Sequence, residues 1–226
     1  MTCAAKLLAY CVAEDHGYPL PTTGVRGAPV RTMIAQSLAC VYSPLIPPQE
    51  FGREDALSFH SVLKMIFDRQ AIIPFRFPTL LQNEVDLQAH LSQKAVVYTH
   101  DLKRLRDLVQ MELRFTVDKV RSKGATSGTE YLQSKQQRSR TLQSSSQRAR
   151  AALGELLVEW KERPTDQGLR CYALVKRADS AAVNQRVEAA QIAGAATVLF
   201  SGPWPATEFL HDEASKSDSG GDGSRD

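Results

Sequence analysis

Five histidines, four cysteines and a spread of carboxylates are the groups that could carry chemistry in this chain. Metal binding and nucleophilic catalysis both need such groups at defined spacings. Cys3, Cys11, Cys40 and Cys171 show no CxxC and no Cys/His ligand pattern, which argues against zinc. Cys11, Cys40 and Cys171 sit inside apolar runs and read as reduced, buried thiols of a reducing compartment. His60 has neither an acid nor a cysteine partner in its stretch, and His16, His90, His100 and His211 are scattered among polar residues. Gly24-Val25-Arg26-Gly27 lacks both the GxGxxG spacing and the following helix of a phosphate loop. There is no GxSxG and no HExxH. Glu112 and Asp118 fall on an alternating strand and read as its solvated face. The expectation is a protein that is no enzyme and takes no cofactor and no metal.

Two side chains suit recognition better than catalysis. Arg76 stands between Phe75 and Phe77 in an apolar stretch. If both rings point one way, Arg76 points the other, toward an acid on the next helix or toward a partner. Trp204 sits in Ser201-Gly202-Pro203-Trp204-Pro205, directly after the apolar run 197–200. That run is apolar on both faces, which predicts a strand deep in a sheet. Glycine and two prolines then stop it and hold Trp204 at a rigid corner. Trp204 either caps the core or is an exposed anchor. On the core-cap reading, Trp204→Ala would cost about 3–5 kcal/mol.

Charge adds one more candidate. From Lys119 to Arg150 the sequence has eight basic residues and one acid, Glu130, although the net charge is only +3. An RNA-binding module could use such a run. The strands carry no aromatic pair of the kind that stacks bases, which argues against nucleic acid, and leaves a solvated helix face or an acidic partner.

These residues need elements to position them. The pattern predicts strands over 4–13 and 33–43, the second antiparallel to the first, with a Gly/Pro-rich loop between them at 17–30. A helix over 54–70 follows from Phe59, Val62, Leu63, Ile66 and Phe67 at helical spacing. A strand at 71–77 comes next, then a long helix capped by Asn83 and running to about Val109. The first unit thus reads β-β-α-β-α, with helices on one sheet face. The second reads β-α-β-α-β: a strand at 111–118, a long helix from 128 to 163, a strand at 169–177, a helix from Ser180 to about Ala193, and the strand at 197. The seam of the long helix is weak in its first half, at Lys135, Ser139 and Ser146, so that half should project or fray.

The chain is expected to be α+β, two small α/β-sandwich units over 1–110 and 111–212, with a disordered acidic tail over 213–226. No apolar run reaches the roughly 18 residues of a membrane span. The start of the chain is not a good signal peptide, so a cytoplasmic protein is expected.

Four stretches, taken in order, resemble one family. Pro74-Phe75-Arg76-Phe77-Pro78-Thr79 is similar to the P-x-R-F-G-T segment of the gas vesicle GvpL/GvpF proteins. It follows a helix carrying His60, Val62 and Leu63, as in that family. Gly128-Thr129-Glu130-Tyr131-Leu132 resembles the G-x-x-Y-L helix start. Leu199-Phe200-Ser201-Gly202-Pro203-Trp204-Pro205, with Phe209 after it, resembles the closing L-x-G-P-W-P-P-Y-x-F. Pro78 stands where the family has Gly, Ala206-Thr207 where it has Pro-Tyr, and Ser61 where it has Glu. The resemblance implies an accessory protein of gas vesicle assembly with a ferredoxin-like N-terminal part. It implies binding to the hydrophobic shell protein and to other accessory proteins, and a place in the cytoplasm or on the gas vesicle. Arg76, Phe77, Tyr131 and Trp204 are then the candidate partner contacts.

Overall fold

The computed structural model describes residues 5–117, 128–191 and 196–211. The first unit contains β1 (Lys6–Glu14), β2 (Arg31–Ala35), β3 (Leu38–Leu45), α1 (Arg53–Phe67), β4 (Ile72–Leu81) and α2 (Glu84–Arg104). Its sheet is antiparallel in the order β2-β3-β1-β4. β1 is central and buried from Leu7 to Ala13, because both faces of the sheet are covered. Leu7 clusters with Leu87 and Leu91 of α2, while its neighbour Leu8 clusters with Phe59 and Val62 of α1. Adjacent strand residues face opposite ways. The two helices therefore lie on opposite faces, not on one face as the sequence suggested. Each apolar stripe shows that a helix packs, but not on which side.

The single strand expected over 33–43 is a hairpin, β2 and β3, joined by Gln36-Ser37 with Ala35 opposite Leu38. Gln36 has φ of 58°. Tight hairpins need positive φ at such a position and usually mark it with Gly, Asn or Asp. Gln-Ser carries no such mark, so the turn was invisible. At the next junction, Asn83 caps α2 as expected, its Oδ1 accepting from Asp86 N–H at 2.9 Å. The helix ends at Arg104, not near Val109. Leu102, Leu105 and Val109 keep helical spacing across the break, which hid it.

The second unit contains β5 (Leu108–Thr116), α3 (Gly128–Leu153), β6 (Leu157–Thr165), β7 (Gly168–Lys176), α4 (Ser180–Gln191) and β8 (Thr197–Trp204). Its antiparallel order is β6-β7-β5-β8. The helix expected over 128–163 stops at Leu153; a 3-10 turn, Gly154–Leu156, and the start of β6 take the rest. Leu153, Leu156 and Trp160 continue the helical rhythm by coincidence. The leading half of α3 is exposed from Leu132 to Gln137, and burial begins at Leu142, as the weak seam implied.

The element order β-α-β-β-α-β is that of the ferredoxin-like split βαβ fold. It is complete in the second unit. The first unit has the same sheet order, but a loop with the 3-10 turn Val25–Gly27 stands where the first helix would be. The ferredoxin-like arrangement expected of the N-terminal part is thus partial there and whole in the C-terminal part.

Residues from both units share one apolar cluster, which includes Leu8, Phe59 and Ile66 of the first and Met111, Leu153 and Val187 of the second. On the other face of the second sheet, Tyr172 and Leu174 pack with Leu105, Ala206 and Phe209. The closing residues 205–211 are also tied down by hydrogen bonds. Glu208 N–H donates to Gln110 Oε1 at 3.0 Å and Lys161 Nζ donates to Glu208 O at 2.9 Å.

Cys11, Cys40 and Cys171 are free and buried, as their apolar flanks implied. Burial pushes the Cys40 and Cys171 thiols up to about 12 and raises Cys11 as well. Thiolate is the reactive form. A Cys3→Ser variant at pH 8 is therefore expected to take up no thiol reagent until denaturant unfolds it. Labelling of the native variant would contradict this burial.

Candidate partner-binding surface

β8 is an edge strand, not a deeply buried one. Over Thr197–Phe200 its residues alternate between exposed and half-buried, and Leu199 is 62% exposed. Both faces read as apolar because one rests on the core and the other meets solvent. Trp204 is 38% exposed, so the core-cap reading gives way to an exposed ring at the strand end. Its indole N–H donates to Ser201 Oγ at 3.2 Å, and its centroid lies 6.1 Å from that of His60 on α1. His60, without an obvious partner in sequence, gains an aromatic neighbour from the other unit.

The two closing strands share a geometry. β4 pairs with β1, but the register breaks between Ala9 and Cys11, where Ala9 opposes Thr79 and Cys11 opposes Pro74. β8 pairs with β5, and the register breaks between Gln110 and Glu112, where Gln110 opposes Trp204 and Glu112 opposes Ser201. Both family-like segments therefore bulge from the last strand of their sheet, the first opposite the middle of β1 and the second opposite the first half of β5. The peptide bonds Phe77-Pro78 and Gly202-Pro203 are cis. Gly202 has φ of +135°, and a Cβ there would lie 2.9 Å from Met111 Sδ. Only glycine fits that combination of dihedral and close approach.

The bulge also sets the directions around Arg76. Phe75 packs with the α2 cluster, its ring centroid 5.6 Å from that of His90, whereas the Phe77 centroid lies 5.0 Å from that of Phe59, tilted, and 5.3 Å from that of Phe51, edge-on. The two rings thus face opposite sides, contrary to the simple alternation expected of a flat strand. Arg76 is exposed and, among the described residues, has no ion-pair partner within 4.0 Å. The bridge to an acid on α2 does not form. Thr79 Oγ1 donates to Arg76 O at 2.6 Å and closes the bulge.

The side chain of Tyr131 lies outside the described residues. So do Lys119, Arg121 and Lys123 of the basic run, and the tail from 213. Within the described part of that run, Lys135, Arg140 and Arg150 are exposed on α3, and Arg138 donates to Gln167 O at 2.7 Å. Glu112 is not a free solvated carboxylate, because Arg114 and Arg170 reach it at 2.7 and 3.1 Å.

Ion pairs hold the elements that carry this surface. Arg26 binds Asp55 of α1 with two bonds of 2.8 Å, and the same carboxylate accepts Gly52 N–H at 2.9 Å. Arg106 binds Glu14 with bonds of 3.1 and 2.9 Å, tying β1 to the start of β5. The Arg26 guanidinium lowers the pKa of Asp55, and the Arg106 guanidinium lowers that of Glu14. A carboxyl depressed on folding stabilises above its unfolded pKa, and that contribution is lost as pH falls through the folded one. Urea midpoints are therefore expected to hold from pH 7 to about 4 and then drop steeply on further acidification. Asp55→Asn should flatten part of that drop; an unchanged profile would show that this pair does not contribute.

The family model described as gas vesicle synthesis protein GvpL/GvpF matches residues 6–211. The chain belongs to this GvpL/GvpF family. Among solved structures, it is similar to the gas vesicle protein GvpF from Anabaena sp., with 15% identity and a TM-score of 0.74 over 92% of this chain and 99% of that one. It is also similar to GvpF from Microcystis aeruginosa, with 14% identity and a TM-score of 0.73 over 90% and 98% of the two chains. Against curated proteins the sequence has no match. At such identity the structures speak for the fold, which is the two-unit α+β architecture described above. Among the described residues no helix is long and apolar enough to cross a membrane.

Proposed function

We propose that this GvpL/GvpF family protein is an accessory factor of gas vesicle assembly that binds the hydrophobic shell subunit and other accessory proteins. The observation that carries this reading is the exposure of Trp204 at a segment that the family resemblance singles out. A half-exposed tryptophan beside His60 offers a large amphipathic contact, the type of residue that dominates binding energy at interfaces. Arg76 supplies an exposed charge, without an ion-pair partner among the described residues, on the equivalent bulge of the first sheet. Phe77 supports that bulge from beneath, through Phe51 and Phe59. Tyr131 completes the proposed set. The division into two units, expected at 1–110 and 111–212 and drawn here just ahead of β5 at Leu108, is part of the same proposal, with both units contributing contacts. No reaction is assigned to the protein, which acts by recognition.

Co-expression with the shell subunit tests the proposal. The tagged chain is expected to retain the subunit on purification, and Trp204→Ala is expected to lose most of that retention. Because the ring is partly solvated, the same variant should lose only about 1 kcal/mol of stability. Failure of the unaltered chain to retain any subunit would overturn the assignment. Full retention by a folded Trp204→Ala would remove Trp204 from the surface.

A further inference from the structure

His100 and His211 are 111 positions apart in sequence, yet their rings meet edge to face at 4.6 Å between centroids. Between them lies Asp101, which is 1% exposed. Asp101 Oδ2 accepts the backbone N–H of His211 at 3.0 Å, which fixes the carboxylate. Oδ1 is left to face both imidazoles: it is bonded to His211 Nδ1 and lies 3.8 Å from His100 Nδ1. One ligand atom from each of the three residues falls within 4.8 Å of the others. These histidines are scattered along the sequence, and the fold assembles them.

We propose that His100, Asp101 and His211 form a binding site for a divalent transition-metal ion of the zinc or nickel type. Two imidazole nitrogens and one carboxylate oxygen suit such ions and not calcium or magnesium, which take oxygen ligands. Ligand atoms around a tetrahedral ion with bonds of about 2.0–2.1 Å stand some 3.4 Å apart. Reaching that spacing requires His100 Nδ1 to close on Asp101 Oδ1 by a few tenths of an ångström and His211 Nδ1 to draw back from it by about one ångström, giving up its hydrogen bond to the metal. Both imidazoles are more than half exposed and free to make that adjustment. A water molecule would take the fourth position. The backbone N–H of His211 on Oδ2 is the outer partner that orients a ligating carboxylate.

Two cations stand close by. Arg104 lies 3.8 Å from Asp101 Oδ1, but it is engaged with the Phe209 carbonyl and lies 3.6 Å from Glu159, so its charge is shared among several oxygens. Lys94 lines the adjoining hollow of about 240 Å³ together with Tyr98, Leu210 and His211. These charges lower the affinity for a cation, and Arg104 competes with it for Asp101 Oδ1. The site joins α2 of the first unit to the closing residues of the second, so bound metal would clip residues 205–211 in place. A ligand that binds only the folded state raises stability by mass action.

The test uses the full chain with its purification tag removed. Titration calorimetry with zinc or nickel chloride is expected to show one equivalent bound. Metal at about a hundredfold excess over its Kd should raise the melting temperature by about 5 °C, reversibly with chelator. His100→Gln and His211→Gln each replace an exposed side chain and should leave the fold intact while weakening binding at least roughly tenfold. His16→Gln should bind as the unaltered chain does. No binding, or equal binding by the two site variants and the parent, overturns the proposal. Loss of binding in His16→Gln alone would place the metal elsewhere and overturns it too. The readout is independent of the shell subunit, so it stands or falls apart from the assembly role.

Discussion

Phe209→Ala is expected to destabilise the protein by about 3–5 kcal/mol. The ring is 2% exposed and packs against the outer face of the second sheet with Leu105, Tyr172, Leu174 and Ala206. Lys161 Nζ lies 5.2 Å from the ring centroid and adds a cation–π contact. Truncation to Ala would leave a void under a segment only a few residues long. That segment is held otherwise by scattered polar contacts and has no sheet partner on its far side. Relief by collapse is limited, because Tyr172 and Leu174 are fixed in a central strand. Urea unfolding at constant m-value measures the loss, and a melting temperature lower by about 10 °C should accompany it. A change below about 1 kcal/mol would mean that residues 205–211 do not seal this face.

Gly168→Ala should have a comparable effect by the opposite route. Gly168 opens β7 after the two-residue turn Asp166-Gln167, and it pairs with Thr165. A methyl group there would lie 2.0 Å from the carbonyl oxygen of Phe115. The obstacle is backbone of the central strand β5 and cannot swing aside. Its φ lies outside the left-handed region, so the penalty is steric and not conformational. The cost is expected to be about 3 kcal/mol, at the upper end of overpacking, with β6 and β7 forced off their register. Thermal unfolding gives the loss, and hydrogen exchange should show it concentrated in the β6–β7 hairpin. A stable variant with unchanged exchange would contradict the close approach.

The sequence made the helices and the central strands legible because their signals are local. Asn83 caps α2, Phe59 to Phe67 stripe α1, and Leu7 to Val12 form an apolar run in β1. What it hid were features decided by something other than pattern. Gln36 adopts positive φ without the residue type that announces it. Leu156 and Trp160 keep a helical rhythm while belonging to a 3-10 turn and a strand. The site was legible in part. Arg76 and Trp204 stood out by type and setting, but the exposure of Trp204 depends on β8 being at a sheet edge, which a nine-residue stretch cannot reveal. The approach of His60 to Trp204, and of His100 to His211, joins residues over a hundred positions apart. No spacing rule reaches that far.

Four strands form the borders of the two sheets: β2, β4, β6 and β8. Three contain proline, with Pro74 and Pro78 in β4, Pro164 in β6 and Pro203 in β8. A proline has no amide hydrogen to offer an incoming strand, and a bulge bends the border away from it. Such borders resist growth by addition of further chains. That resistance matters for a protein proposed to bind a hydrophobic subunit during assembly, since an open border could be drawn into the assembly. β2, Arg31–Ala35, has no proline and presents Ile34 at 60% exposure. Among the described strands it is the one border along which a visiting strand could pair without interruption, and its five residues limit how much can be captured there.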